Sequence, residues 1–172
     1  MPKKIVCGIS SEDFRKAAIA VKKYRQDILK KAKQLTEALA DYGAIVARTI
    51  VIQLDAVDKG NLANSISAYY DPAINVGMIK ADCDYAVFVE FGTGVRGKAS
   101  PYVGDAINKV AYRYGDGTHY VMLSDGRVGW FYPADDGTWK FTEGMPSRPF
   151  MYETAQELRR RFPEMAREVF KS

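Results

Sequence analysis

Apolar residues recur at steps of three and four over the first third of the chain, which is the spacing of one face of an α-helix. Ser10 and Asp13 fit a capping box at the start of this helix. It would be about 60 Å long, more than the width of a small domain. We expect it to bend or break near Gly43, where helix propensity drops. The pattern predicts one helix over residues 11–54, with an apolar face made of Phe14, Ala18, Val21, Tyr24, Ile28, Ala32, Leu35, Leu39, Tyr42, Val46 and Ile50.

Residues 85–91 give the best predicted strand, and we expect the rest of the chain to be organised around it. They are mostly apolar and β-favouring. The strand should end in a tight turn at Gly92, where a β-carbon would strain the backbone. Two shorter strands are predicted before it, at residues 66–70 and 74–78, joined by a turn at Asp71-Pro72.

Beyond Gly92 the pattern predicts a short helix and then a β-meander. Ser100 and Pro101 suit the start of a helix that ends near residue 114. Asp- and Gly-rich turns separate the strands of the meander, which fall at residues 119–123, 128–132 and 139–141. Its many aromatic residues fit sheet packing for the most part, and a contact surface for the rest.

The helical spacing of apolar residues returns near the C-terminus. Pro163 should kink or restart this last helix, because proline removes a backbone donor and crowds the preceding turn. Three consecutive arginines, at residues 159–161, are predicted to be solvated. The predicted apolar face consists of Met151, Ala155, Leu158, Phe162, Met165 and Val169.

The composition bounds the classes of function. The 172 residues suffice for one domain with a real core. A net charge of +4 is too small to indicate nucleic-acid binding by itself. Cys7 and Cys83 form neither a metal nor a disulfide framework, so we expect inert thiols in a reducing cytoplasm. Neither a targeting segment nor a membrane span is expected, because no apolar run approaches about 18 residues.

One face of the predicted first helix is basic. The plainer interpretation is a solvated face, and the other is a surface that meets an acidic partner or a DNA backbone. Asp27 is the one acidic residue set against the cations of this face, which are Arg15, Lys16, Lys22, Lys23, Arg25, Lys30, Lys31 and Lys33.

Residues 92–98 match two glycine motifs, G-x-G-x-x-G and G-x-x-x-x-G-K. A dinucleotide site needs a helix that starts at the third glycine, but the helix signal begins only at Ser100. A phosphate-binding loop needs Ser or Thr after its lysine to hold magnesium, and Ala99 follows Lys98. His119, the only histidine, is predicted to be structural. We therefore expect no catalytic residue, no cofactor and no metal.

Three blocks of sequence, in this order, resemble the tail-completion or head–tail joining family of tailed phages and prophages. They are residues 60–66 (GNLANSI), 85–93 (YAVFVEFGT) and 144–152 (GMPSRPFMY). In that family a turn of the form GLxxSI, a strand of the form YAxxVEFGT and a helix start with RPF recur together. The blocks cover about a third of the chain, and the ordered set is more specific than any one of them.

The resemblance implies an α+β fold with a long N-terminal helix and a C-terminal helix packed on a mixed, largely antiparallel β-sheet. Residues 1–172 would form a single domain, with a β-rich insertion at about residues 94–144. The family is non-enzymatic. Its members form a homo-oligomeric ring, commonly a hexamer, that ends tail-tube growth and joins tail to head. The implied partners are other copies, tail-tube proteins and head-connector proteins, in the bacterial cytoplasm during assembly and then in the virion tail or neck.

Ten residues are predicted to form the oligomer or partner interface. Glu90 is also expected to pair with Arg148, and Phe150 to anchor on the sheet. A nucleotide- or nucleic-acid-binding bacterial protein that uses Lys98 and the basic first helix is the alternative function. DNA contact is otherwise expected only with the passing genome. The predicted interface residues are Lys22, Lys23, Lys30, Lys31, Glu90, Phe91, Gly92, Thr93, Arg148 and Phe150.

Overall fold

The computed structural model describes residues 6–54, 60–110, 112–114 and 120–171. It confirms the α+β class, with two long helices and two small antiparallel sheets. The helices are α1 (Ser11–Gln53), α2 (Asn61–Ser65), α3 (Ala86–Phe91), α4 (Gly94–Ala99), α5 (Ala106–Lys109) and α6 (Phe150–Lys171). The strands are β1 (Ile66–Asp71), β2 (Val76–Ala81), β3 (Val121–Met122), β4 (Val128–Pro133) and β5 (Trp139–Thr142).

Helix α1 has the predicted extent and the predicted N-terminal cap. The Asp13 amide donates to Ser10 Oγ at 3.1 Å, and the Asp13 carboxylate accepts from the Ser10 amide, which completes a capping box. The expected break at Gly43 was wrong, because the helix runs through it. The absence of a side chain at Gly43 instead leaves space for Ile79 and Leu158, since a β-carbon there would lie 2.3 Å from Ile79 Cδ1 and 3.0 Å from Leu158 Cδ1.

Strands β1 and β2 form the predicted hairpin, which packs on α1. The register pairs Ile66 with Ala81 and Asp71 with Val76. The second strand begins at residue 76 rather than 74, because residues 72–75 are used by the turn. Asp71 Oδ1 accepts from the Ala73 amide at 2.8 Å, which stabilises that turn.

The predicted central strand was wrong: α3 is a helix of six residues. Ala86 and Val89, three residues apart, are buried in the core cluster, whereas the intervening Val87 and Phe88 are exposed. This i, i+3 burial is helical spacing, so tertiary packing overrode the β-preference of the side chains.

The helix predicted to start at Ser100-Pro101 was also misplaced. Helix α4 ends at Ala99, and α5 is a single turn. Between them the chain is held by outside contacts, because the Tyr102 amide donates to Tyr114 Oη at 3.0 Å and Ser100 O accepts from the Ser147 amide at 3.2 Å. These bonds replace the intrahelical ones that the proline signal predicted.

The meander is confirmed as a three-stranded sheet in the order β3-β4-β5. His119 lies outside the described residues. Helix α6 passes through Pro163 without restarting and packs along α1. The core lies where α1 meets α2, β1, α3 and the start of α6, and consists of Ala44, Ala47, Val51, Leu62, Ile66, Ala86, Val89 and Phe150.

Candidate assembly surfaces

The three sequence blocks, which are far apart along the chain, meet in one place. Leu62 from the first block, Val89 from the second and Phe150 from the third belong to the same core cluster, with exposures of 0%, 4% and 1%. We call this meeting point the junction. Burial of these side chains against α1 fixes the blocks relative to one another.

Backbone hydrogen bonds tie the second block to the third. The Thr93 amide donates to Met145 O at 2.8 Å, and the Met145 amide donates to Thr93 O at 3.2 Å. The Arg148 amide donates to Val89 O at 2.9 Å. The chain on both sides of Gly92 is therefore bonded to the segment that leads into α6.

Glu90 provides the polar centre of the junction. Its carboxylate accepts from the Met151 amide at 2.8 Å and the Tyr152 amide at 3.0 Å, so it caps the start of α6. The ion pair predicted with Arg148 was therefore wrong, because these amides and the Tyr102 hydroxyl engage the carboxylate. Burial raises the pKa of Glu90, and the hydrogen bonds from the two amides and Tyr102 oppose that shift.

Gly92 follows with the backbone that the sequence predicted. Its φ of +79° belongs to the left-handed region. A β-carbon there would lie 2.6 Å from Ser147 N and 2.9 Å from Met145 O. Both the dihedral angle and the close approach of the third block require glycine.

Aromatic residues surround the junction, and of these sequence reasoning singled out only Phe91. Phe91 packs edge-on against Tyr102 with ring centroids 4.8 Å apart, and lies 4.9 Å from Tyr112. The Tyr112 hydroxyl donates to Gly92 O at 2.5 Å, and burial raises its pKa to about 12. No local spacing links these rings, because Phe91 ends α3 whereas Tyr102 and Tyr112 lie further along the chain in irregular segments.

The three glycine amides of the motif at residues 92–98 are already engaged within the protein, so they are not free to bind a phosphate. The Gly92 amide donates to Phe88 O, the Gly94 amide to Tyr114 O and the Gly97 amide to Thr93 O, at 2.8, 2.9 and 2.8 Å. A phosphate-binding loop needs such amides directed at its ligand. In the described part of the chain, no group of three or more His, Cys, Asp or Glu is placed to hold a metal ion.

The predicted interface residues fall into two groups. Glu90, Phe91, Gly92 and Phe150 are buried inside one protomer, and Thr93 and Arg148 are half-buried at the junction. Their contacts within the protomer are those described above, and their role against a partner stays a prediction. The second group is the surface set of Lys22, Lys23, Lys30 and Lys31 on α1.

These four lysines belong to a part of α1 that projects from the domain. The buried residues of α1 begin at Leu35, and almost every residue before position 31 is exposed. We call residues 11–30 the overhang. Lys22, Lys23 and Lys30 are exposed, whereas Lys31 at its edge is half-buried and lies 3.8 Å from Asp27. The overhang therefore offers both charge and apolar area to a partner.

A second exposed surface lies on the meander. Trp139 is 68% exposed and Met122 75%. Phe131 and Tyr132 are also exposed, on opposite faces of the sheet because they are consecutive in β4. Large apolar groups left in water are typical of contact surfaces when they cluster. The sequence predicted this in part, by the density of aromatic residues between the Asp- and Gly-rich turns.

No protein-family model matches the chain, and neither the curated proteins nor the solved structures with which it was compared include a match. Within the described residues, none of the helices is long and apolar enough to cross a membrane.

Proposed function

We propose that this chain is a non-enzymatic structural subunit of a phage or prophage particle. It forms a homo-oligomeric ring as a tail terminator or head–tail connector, ends growth of the tail tube and joins the tail to the head. It acts in the bacterial cytoplasm during assembly and in the tail or neck of the virion afterwards.

The observation that carries this proposal is the convergence of the three sequence blocks at the junction. Three segments that matched short patterns by chance would have no reason to lie in contact. These three blocks share one core, and the second and third are joined by hydrogen bonds between Thr93 and Met145. Glu90 of the second block caps the helix that opens in the third. Their arrangement as one structural unit supports a common origin for the pattern that the resemblance describes.

The exposed surfaces support the same proposal. The overhang and the exposed aromatic residues of the meander leave apolar side chains in water on a single protomer, with Phe14 61% exposed and Trp139 68%. A ring subunit has uses for such surfaces, because heterologous contacts bury a different patch on each side of the protomer.

Sedimentation over a series of protein concentrations, together with negative-stain electron microscopy, tests the proposal. We expect rings with a central channel, formed either by the protein alone or after purified tail tubes are added, since such subunits can stay monomeric until the tube is present. A protein that remains monomeric under both conditions would contradict the proposal.

The alternative function, nucleotide binding through Lys98, is disfavoured by the occupied amides of Gly92, Gly94 and Gly97. Isothermal calorimetry with ATP and magnesium should show no saturable binding, either for the native protein or for Lys98→Ala. Saturable binding that Lys98→Ala abolishes would support the alternative instead.

A further inference from the structure

The apolar face of α1 has a seven-residue repeat. One series of positions recurs every seven residues, and a second series lies four residues after each member of the first. This is the arrangement of a helix that packs on another helix along a coiled-coil seam. The first series is Phe14, Val21, Ile28, Leu35 and Tyr42, and the second is Ala18, Arg25, Ala32, Leu39 and Val46. We call the two series together the seam.

Helix α6 covers only the C-terminal part of the seam. Phe150 packs in the core with Val51, and Leu158 lies beside Gly43, so the two helices run antiparallel. The Tyr42 hydroxyl donates to Glu157 Oε1 at 3.0 Å along the same contact. At equal rise per residue, the end of α6 at Lys171 lies opposite about residue 30 of α1.

The rest of the seam has no cover within the described protomer. Leu35 is 8% exposed, whereas Ile28, Val21 and Phe14 are 37%, 54% and 61% exposed. Exposure therefore rises steadily toward the N-terminus. The seam continues toward the N-terminus beyond the end of α6. Its seven-residue spacing there is the same as in the part that packs on α6, so it has the spacing of a helix-binding surface.

Charge distinguishes the uncovered part of the seam from the covered part. Positions beside the covered part are uncharged, among them Thr36, Ala38, Gly43 and Ile45. The positions beside the uncovered part include cations, and Arg25, a member of the second series, is itself cationic. These cations are Arg15, Lys22, Arg25 and Lys31.

We propose that the overhang docks an amphipathic helix of a different protein, whose apolar seam is flanked by Asp and Glu. The partner helix lies end to end with α6 and continues its contact along α1. Acidic flanks face Arg15, Lys22 and Arg25, whose charges are otherwise opposed on this helix mainly by Asp27, Glu12 and Asp13.

A second copy of this chain does not suit the overhang. Two overhangs laid together place cations against cations in either orientation, which is unfavourable. Helix α6 of another copy does not offer an apolar face flanked by acidic residues either. Its apolar face is occupied by its own α1, and Arg159, Arg160 and Arg161 lie beside that face. The inference rests on the proposed role in a multi-protein assembly, and it names the chemistry of one partner there.

A designed peptide tests the docking directly. The probe is a three-heptad helical peptide with Leu and Ile in its seam and Glu at the flanking positions, and its charge-inverted twin carries Lys instead. Fluorescence anisotropy with the full chain should show saturable binding of the Glu peptide, which weakens as salt rises. The Lys peptide should bind at least tenfold more weakly.

Two variants separate the seam from the rest of the helix. Val21→Asp combined with Ile28→Asp should weaken binding of the Glu peptide at least tenfold. Ile19→Asp is the matched control, because Ile19 is 60% exposed and lies about 160° around the helix from Val21. It should leave the affinity within about twofold, with circular dichroism spectra unchanged for all variants.

Three outcomes would overturn the docking proposal. The first is equal affinity for the two peptides, or no binding of either. The second is self-association that Val21→Asp and Ile28→Asp abolish, which would make a second copy the occupant. The third is binding of duplex DNA that Lys22→Glu and Arg25→Glu abolish but the seam variants leave intact. If rings form but the Glu peptide does not bind, the docking proposal is rejected and the proposed function stands. If the Glu peptide binds but rings do not form, the proposed function is rejected and the docking proposal stands.

Discussion

The two halves of α1 carry the same apolar pattern and meet different surroundings. In the half after residue 31, the apolar face packs on α6 and the hairpin, with Leu35 buried and Leu39 and Val46 half-buried. In the overhang, the same face is open to solvent, with Phe14 61% and Val21 54% exposed. Periodicity therefore predicts that a helix forms and which face is apolar, but the rest of the fold decides what covers that face.

The two halves are also stabilised differently. Burial of apolar surface holds the covered half, whereas an isolated helix as long as the overhang would be marginal in water. The overhang is helical because it continues a helix already formed. Local interactions add to this, including the capping box at Ser10 and the pair of Lys16 and Glu12 at 3.6 Å.

The largest difference between the two halves should appear on truncation of phenylalanine. Phe150, 1% exposed against the covered half, should lose about 3–5 kcal/mol of unfolding free energy on change to Ala. Phe14→Ala in the overhang should change it by less than about 0.5 kcal/mol, since that ring is already in water. Urea denaturation of both variants measures the contrast. Similar losses in the two would mean that the overhang is packed in solution.

A second, smaller loss should come from Gly92, which holds the junction that supports the covered half. Gly92→Val should cost more than about 1 kcal/mol, because it combines left-handed strain with contact against the backbone of residues 145–147. Gly126→Val is the matched control, with a φ of +84° and nothing within 4 Å of its β-carbon. Thermal denaturation should show a clearly lower midpoint for Gly92→Val than for Gly126→Val. Equal midpoints would show that the contact contributes nothing beyond the dihedral strain.

Sequence could predict the elements whose pattern is long. Helix α1, the hairpin, the meander and α6 all have repeated periods or clear turn chemistry, and each is found. Helix α3 could not be separated from a strand, because a mostly apolar run of six residues fits either a short strand or a short helix. Whether this segment forms a helix depends on the core to which Leu62 and Phe150 contribute. Both residues are too distant along the chain to be part of a local sequence pattern.

The candidate surfaces divide in the same way. The basic face of the first helix was predictable, because eight cations fall between Arg15 and Lys33. The capping role of Glu90 was not, since its partners Met151 and Tyr152 follow about sixty residues later. The one local signal was a carboxylate inside an apolar run, which indicates a buried polar contact without naming the donors.

A third effect, on the order of 1 kcal/mol, should come from Glu90. Glu90→Gln leaves one acceptor oxygen for the two amides that the carboxylate serves. Because burial raises the pKa of Glu90 in the folded protein, the folded state holds the proton more tightly than the unfolded chain. The contribution of Glu90 to stability is therefore greatest below the ordinary glutamate pKa of about 4.3 and falls as pH rises through the folded pKa.

Urea denaturation at a series of pH values from about pH 4 upward measures this contribution. The unfolding free energy of the native protein minus that of Glu90→Gln should decrease across the series. Exposed Glu168→Gln serves as the control for the substitution itself. A difference that grows with pH would show that the amide hydrogen bonds outweigh burial and that the folded pKa is lowered instead.

The smallest effect on stability should come from reversing charge on the overhang. Lys22, Lys23 and Lys30 are exposed, and among the described residues the ion pair of these four lysines is that of Lys31 with Asp27 at 3.8 Å. Exposed pairs of this kind contribute about 0–1 kcal/mol. Changing all four to Glu should therefore leave the circular dichroism spectrum and the melting temperature close to those of the native protein.

The same variant should nevertheless fail to enter tails. Each change removes two units of charge, so the formal net charge moves from +4 to −4 and an acidic partner would be repelled. Incorporation into assembled tails, measured by electron microscopy and by protein content of purified particles, tests this expectation. Matched reversal of four exposed cations outside α1 and the meander, Lys80, Lys98, Lys109 and Arg113, to Glu controls for the change of net charge. Normal tails with the overhang variant would show that the basic face is solvated surface, and the two halves of α1 would then differ in burial alone.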